Sequence, residues 1–166
     1  MRRVAILGLG ERGQFWLKTA LRSGWQASGF DPDPSAMPAK RRSEWQREDT
    51  ISATVKDADW VFLCLPERLE LMQKVIQRAQ AEAPDACVVA VDTHFDVDSV
   101  QSCAMRRDRL VQVTFDHDAG FSLSVTTYNP SELKEEATRT LAEFAATLCL
   151  DTNGADAQLG SDVQSA

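Results

Sequence analysis

Short apolar runs alternate along this chain with stretches whose apolar residues recur every three or four positions. The first kind reads as buried strands and the second as amphipathic helices. Residues 4–7 and 25–30 form the first two strands, with a helix over 14–22 between them. The run Asp31-Pro32-Asp33-Pro34 closes the second strand, because neither strand nor helix continues through it. Residues 35–50 are polar and read as a loop or short helix. Ile51–Val55 reads as a small third strand. Residues 59–65 read as a central strand buried on both faces, continuously apolar from Trp60 until Pro66 stops it. A helix follows, marked by Leu69, Met72, Val75, Ile76 and Ala79. Residues 87–91 give the next strand, and Val97, Val100 and Ala104 the helix after it. Residues 110–115 and 121–127 give two more strands. The last helix carries one stripe of Leu133, Ala137, Leu141, Phe144 and Leu148.

Alternation of this kind builds an α/β fold of the Rossmann type, a doubly wound and mainly parallel sheet with helices on both faces. Right-handed crossovers place the C-terminal ends of the strands on one edge, where ligands bind. Residues 1–150 are expected to form this domain, and 151–166, small and polar, a mobile tail.

Between the first strand and first helix stands Gly8-Leu9-Gly10-Glu11-Arg12-Gly13, a G-x-G-x-x-G pattern in strand–turn–helix context. Gly8 permits the tight turn, Gly10 lets a pyrophosphate approach the backbone, and Gly13 lets the helix pack close to the strand. Free amides and the dipole at the helix start favour the anion. Asp31 ends the second strand about 20 residues on, where a carboxylate accepts from ribose hydroxyls and repels a 2′-phosphate. The expected cofactor is therefore NAD rather than NADP. Lys40, Arg41 and Arg42 soften that preference if their loop folds back; otherwise they are a solvated basic loop.

Residues 4–34 together with "DADWVFLCLPERLELMQKV" resemble the NAD-binding domain of the 3-hydroxyacyl-CoA dehydrogenase family. The resemblance implies cofactor contacts from Leu65, Pro66 and Glu67 after the central strand, and from Asp92 and Thr93 after the next one. Several family positions differ. The helix Lys after the Glu is Met72 here, and the Asn-Thr-Ser-Ser motif is Asp92-Thr93-His94-Phe95. The catalytic His aligns with Thr114, and the catalytic Glu falls in residues 124–127, which hold no carboxylate. The family's C-terminal helical domain is expected to be absent. A homodimer or a separate helical-domain partner would then complete the site. "FDHDAG" is similar, more weakly, to the His-Pro-x-x-Gly motif of prephenate-type dehydrogenases, with His117 in place of their catalytic His.

The candidate catalytic residues are His94 and His117, the two histidines of the chain, each after a strand on the ligand edge. A neutral imidazole there takes a hydroxyl proton as hydride leaves. Two imidazoles with Asp92 or Asp116 could instead bind a divalent metal. Ordinary surface histidines are the third reading. Whichever holds, activity is uncertain, and a non-catalytic module that binds NAD(H) is the alternative.

The net charge of -7 and pI of about 4.8 argue against general nucleic-acid or anionic-membrane binding. No apolar run approaches the roughly 20 residues that span a bilayer. A cytoplasmic protein is expected. Cys64, Cys87, Cys103 and Cys149 lack C-x-x-C spacing and read as reduced thiols. Trp16, Trp25, Trp45 and Trp60 are not spaced as a stacking platform; they read as core or partner-facing, and an exposed Trp16 would mark an interface.

Overall fold

The computed structural model describes residues 2–36 and 43–150. Its elements are β1 (Arg3–Leu7), α1 (Glu11–Arg22), β2 (Gln26–Phe30), β3 (Trp45–Arg47), α2 (Ile51–Val55), β4 (Trp60–Leu63), α3 (Leu69–Glu82), β5 (Val88–Asp92), α4 (Val97–Gln101), β6 (Leu110–Asp116), β7 (Gly120–Ser124) and α5 (Ser131–Leu150). The strands form one sheet in the order β3-β2-β1-β4-β5-β6-β7. Every pairing is parallel except β6 with β7. This is the doubly wound Rossmann arrangement with one antiparallel edge strand.

Alternation along each strand divides the core. Val4 and Ile6 of β1 and Trp60 and Phe62 of β4 face Trp16 of α1 and Phe144 of α5. Ala5, Leu7, Val61 and Leu63 face Met72 and Ile76 of α3 and Val100 of α4. Both faces of the central strands are thus covered, and β4 and β5 are buried along their whole length. The stripe on α5 is buried as its spacing predicts.

One assignment is corrected. Ile51–Val55 is a helix, and the third strand is Trp45–Arg47 inside the segment read as a loop. Thr50 caps α2 by accepting from the Ala53 amide at 3.0 Å, which favours the helix over the extended form its β-branched residues suggest. Trp45 supplies the single buried side chain that a three-residue edge strand needs. Trp16 is fully buried and belongs to the core.

The chain leaves β1 toward β2 on one side and returns from β3 to β4 on the other. The switch point therefore lies between the C-terminal ends of β1 and β4, where open α/β sheets form their ligand crevice. The tail expected at 151–166 and the basic loop expected at residues 40–42 lie outside the described residues, as do the side chains at 149–150.

Candidate functional site

The glycine turn connects β1 to α1 at this switch point. Gly8 has φ 100°, a region L-residues avoid, and a Cβ there would run into the Cys64 carbonyl. A Cβ on Gly13 would run into the Gly8 carbonyl, so this glycine is what lets α1 sit against the turn. A Cβ on Gly10 would meet nothing within 4 Å. The fold thus fills the space around two glycines and leaves the third open. Gly10 is the N-cap of α1, no side chain caps the helix, and Glu11 beside it is exposed. The helix end presents backbone N–H groups and a positive dipole to that space.

Asp31, at the end of β2, is tied to the turn. Its Oδ2 accepts from the Leu9 amide at 2.8 Å and its Oδ1 from the Asp33 amide at 2.8 Å. Each oxygen keeps a lone pair for a ligand hydroxyl. A cavity of about 570 Å³ opens beside it, lined by Phe30, Asp31, Pro34, Arg47 and Glu48 among others. A smaller cavity of about 310 Å³ lies near the N-terminal ends of β1 and β2, at the sheet edge opposite the crevice.

The other half of the crevice is spanned by Arg12. Its Nη2 donates to the Leu65 carbonyl, after β4. Its Nη1 donates to the Asp92 carbonyl at 2.9 Å and Oδ1 at 3.4 Å, at the end of β5, and to Glu67 Oε1 at 3.1 Å. Asp92 is only 7% exposed, and its Oδ2 accepts from Trp16 Nε1 at 2.7 Å. Burial pushes the Asp92 carboxyl above the usual carboxylate range, against the opposing pull of Trp16 and Arg12. Thr93, fully buried, donates to Glu67 Oε2 at 2.7 Å. Pro66 is exposed and turns the chain between Leu65 and Glu67. The residues expected to contact the nicotinamide end are therefore brought together, largely by bonds to one another. Trp16 belongs with them. Arg12 and Trp16 stand one helical turn apart on α1, which aims both at Asp92.

The histidines do not join this cluster. His94 is exposed, and its backbone amide donates to Glu67 Oε2 at 3.4 Å. His117 is exposed on the β6–β7 turn, its ring edge-on to Phe115 at 5.5 Å. Asp116 Oδ1 accepts from the Asp118 and Ala119 amides, which holds its carboxyl below the usual range. Among the described residues no three His, Cys, Asp or Glu side chains gather as a metal site. Thr114, at the position of the family's catalytic His, is half-buried within β6. The Cys64 thiol behind Gly8 is buried, which pushes its pKa well up and makes it a poor nucleophile.

An L-carnitine dehydrogenase from Streptomyces coelicolor is 30% identical to this chain over a 132-residue alignment that takes in 67% of this chain and 42% of that protein. In sequence the chain is similar to L-carnitine dehydrogenases, and in fold to 3-hydroxyacyl-CoA dehydrogenases. Among solved structures, (S)-3-hydroxybutyryl-CoA dehydrogenase from Ralstonia eutropha superposes with a TM-score of 0.77 at 13% identity, over 87% of this chain and 61% of that one. An NAD+-dependent dismutase, a pyridine-carboxylic acid 5-dehydrogenase, superposes with a TM-score of 0.77 at 18% identity, over 87% of this chain and 55% of that one. No family model matches the chain. The chain spans about two fifths of the length of the carnitine dehydrogenase it matches. Arg12, a charged side chain inside the glycine motif, crosses to the end of β5. Among the described residues, no helix is long and apolar enough to cross a membrane.

Proposed function

We propose that this chain binds NAD(H) through the backbone of the turn Gly8, Leu9, Gly10, Glu11, Arg12 and Gly13 and through the Asp31 side chain, and that it is a domain of an NAD-dependent oxidoreductase. The observation that carries the reading is the contrast among the three glycines: Gly8 and Gly13 are needed by the fold, and Gly10 faces open space at the start of α1. A bound pyrophosphate would be held by the backbone N–H groups there. Asp31 would orient the adenosine ribose through its remaining lone pairs. The nicotinamide, when bound, supplies the hydride acceptor or donor. Support also comes from the NAD+-dependent dismutase that shares this fold.

Any hydride transfer would act on a hydroxy acid or an acyl thioester, in keeping with the carnitine and hydroxybutyryl-CoA dehydrogenases. His94 or His117 would take the hydroxyl proton, and a second copy of the chain or a separate helical partner would cover the site from water. The exposure of both histidines and the Arg12 cluster favour a second reading, a module that binds NAD(H) without turning it over. Incubation of the chain with NAD and a panel of 3-hydroxy acids, L-carnitine included, and 3-hydroxyacyl thioesters separates the two. NADH formation at 340 nm supports the oxidoreductase. NADH binding without formation on any of the panel supports the module.

A further inference from the structure

We propose that Arg12, latched between the ends of β4 and β5, closes the nicotinamide half of the crevice, so that the site selects the adenosine-diphosphate half of its ligand and takes ADP-ribose as well as it takes NAD. The proposal rests on the dinucleotide reading above and specifies which part of the ligand is recognised.

A dinucleotide lies across the C-terminal ends of the strands, with its pyrophosphate at the switch point. The Asp31 side of the turn, over β1 and β2, offers an open cavity and a carboxylate with free lone pairs. On the other side, over the ends of β4 and β5, lies the Arg12 guanidinium. Its backbone is two residues past Gly10, and its side chain reaches the carbonyls of Leu65 and Asp92.

Three features make this a latch rather than a phosphate-binding arginine. The guanidinium already donates to two backbone carbonyls and two carboxylates, all within the protein. An arginine waiting for phosphate would keep its planar fork free. The acceptors are themselves anchored, Asp92 by Trp16 and Glu67 by Thr93. Displacing Arg12 would also strip the buried Asp92 carboxylate of its cation, a costly state. A ring seated over β4 and β5 must therefore either break this arrangement or rest on its exposed outer side, where Arg12 is 39% exposed. In both cases the nicotinamide riboside half adds little to affinity.

Calorimetric titration of the full chain with ADP-ribose and with NAD tests this. Dissociation constants for the two within about threefold of each other are expected. In Arg12→Met, which keeps the length of the side chain and loses its donors, NAD is expected to gain about tenfold or more over ADP-ribose. Because Met leaves Asp92 without its cation, the double variant R12M/D92N is titrated beside it and should show the same gain. NAD binding wild type about tenfold or more tighter than ADP-ribose, or an unchanged ratio in the folded variants, overturns the latch while leaving the dinucleotide reading standing. Failure of both ligands to bind wild type overturns that reading and the latch with it.

Discussion

Arg12 and Asp92 lie 80 residues apart in the chain and are joined twice, through the Asp92 carbonyl at 2.9 Å and its Oδ1 at 3.4 Å. One contact is to backbone at the end of β5 and the other to a buried carboxylate. The pair therefore fixes the side chain of the turn to the floor of the crevice. Burial is the largest influence on Asp92, and it raises the carboxyl pKa in the folded chain. A raised folded value means the native state holds a proton that the unfolded state has released, across the window between the ordinary carboxylate value and the folded one. The cost of the buried charge is therefore full above the folded value and is relieved as pH falls through it. Asp92→Asn does not titrate. Urea denaturation at pH 7 and near pH 4 should show the stability difference between wild type and Asp92→Asn moving in favour of wild type at the lower pH. Movement the other way would mean that Arg12 and Trp16 outweigh burial.

Trp16→Phe keeps most of the ring packing against Phe62 and removes the indole donor to Asp92 Oδ2. A buried carboxylate oxygen then lacks its partner, a loss of about 1–3 kcal/mol. Urea denaturation at pH 7 reads it directly. A stability unchanged within a few tenths of a kcal/mol would show that the indole bond is not what holds Asp92.

Asp31 is predicted to set the choice between NAD and NADP. Asp31→Ala should weaken NAD by about 1–3 kcal/mol, the scale of hydrogen bonds to a charged acceptor. NADP should weaken less or tighten, because the repulsion of its 2′-phosphate is removed. Equal losses for the two cofactors by calorimetry would mean that Asp31 acts only through its bond to the Leu9 amide.

Association is the fourth expectation. Ala142 and Ala146 on the outer side of α5 are exposed and Ala145 is half-buried beside them, while β7 closes one edge of the sheet. Small exposed side chains on a helix, or an open strand edge, are suited to symmetric pairing. A homodimer that uses this region and buries more than about 1,000 Å² is expected. Sedimentation equilibrium at micromolar concentration decides between it and a monomer, which would direct the search to a separate partner chain.

The parts of the site that depend on local chain geometry were legible in the sequence. The spacing of Gly8, Gly10 and Gly13 after an apolar run reports backbone conformation, and Asp31 is fixed by the end of β2. The pairing of Arg12 with Asp92 depends instead on β1, β4 and β5 lying side by side, which no local pattern encodes. The role of Trp16 had one available signal, its position one turn after Arg12 on the same helix face. The exchange of β3 and α2 has a local cause too. In residues 50–55 the β-branched side chains point to a strand, and the cap supplied by Thr50 decides for the helix.

The central claim is that a dinucleotide pyrophosphate sits against Gly10. Gly10→Val tests it with little disturbance to the fold, because Gly10 has an ordinary φ of -74° and its Cβ direction is empty for 4 Å. The valine would fill the space that the pyrophosphate needs. Circular dichroism should show the variant folded like wild type. Calorimetric titration with NAD should then show binding to wild type and none to Gly10→Val. Equal affinity in the two proteins would contradict the account.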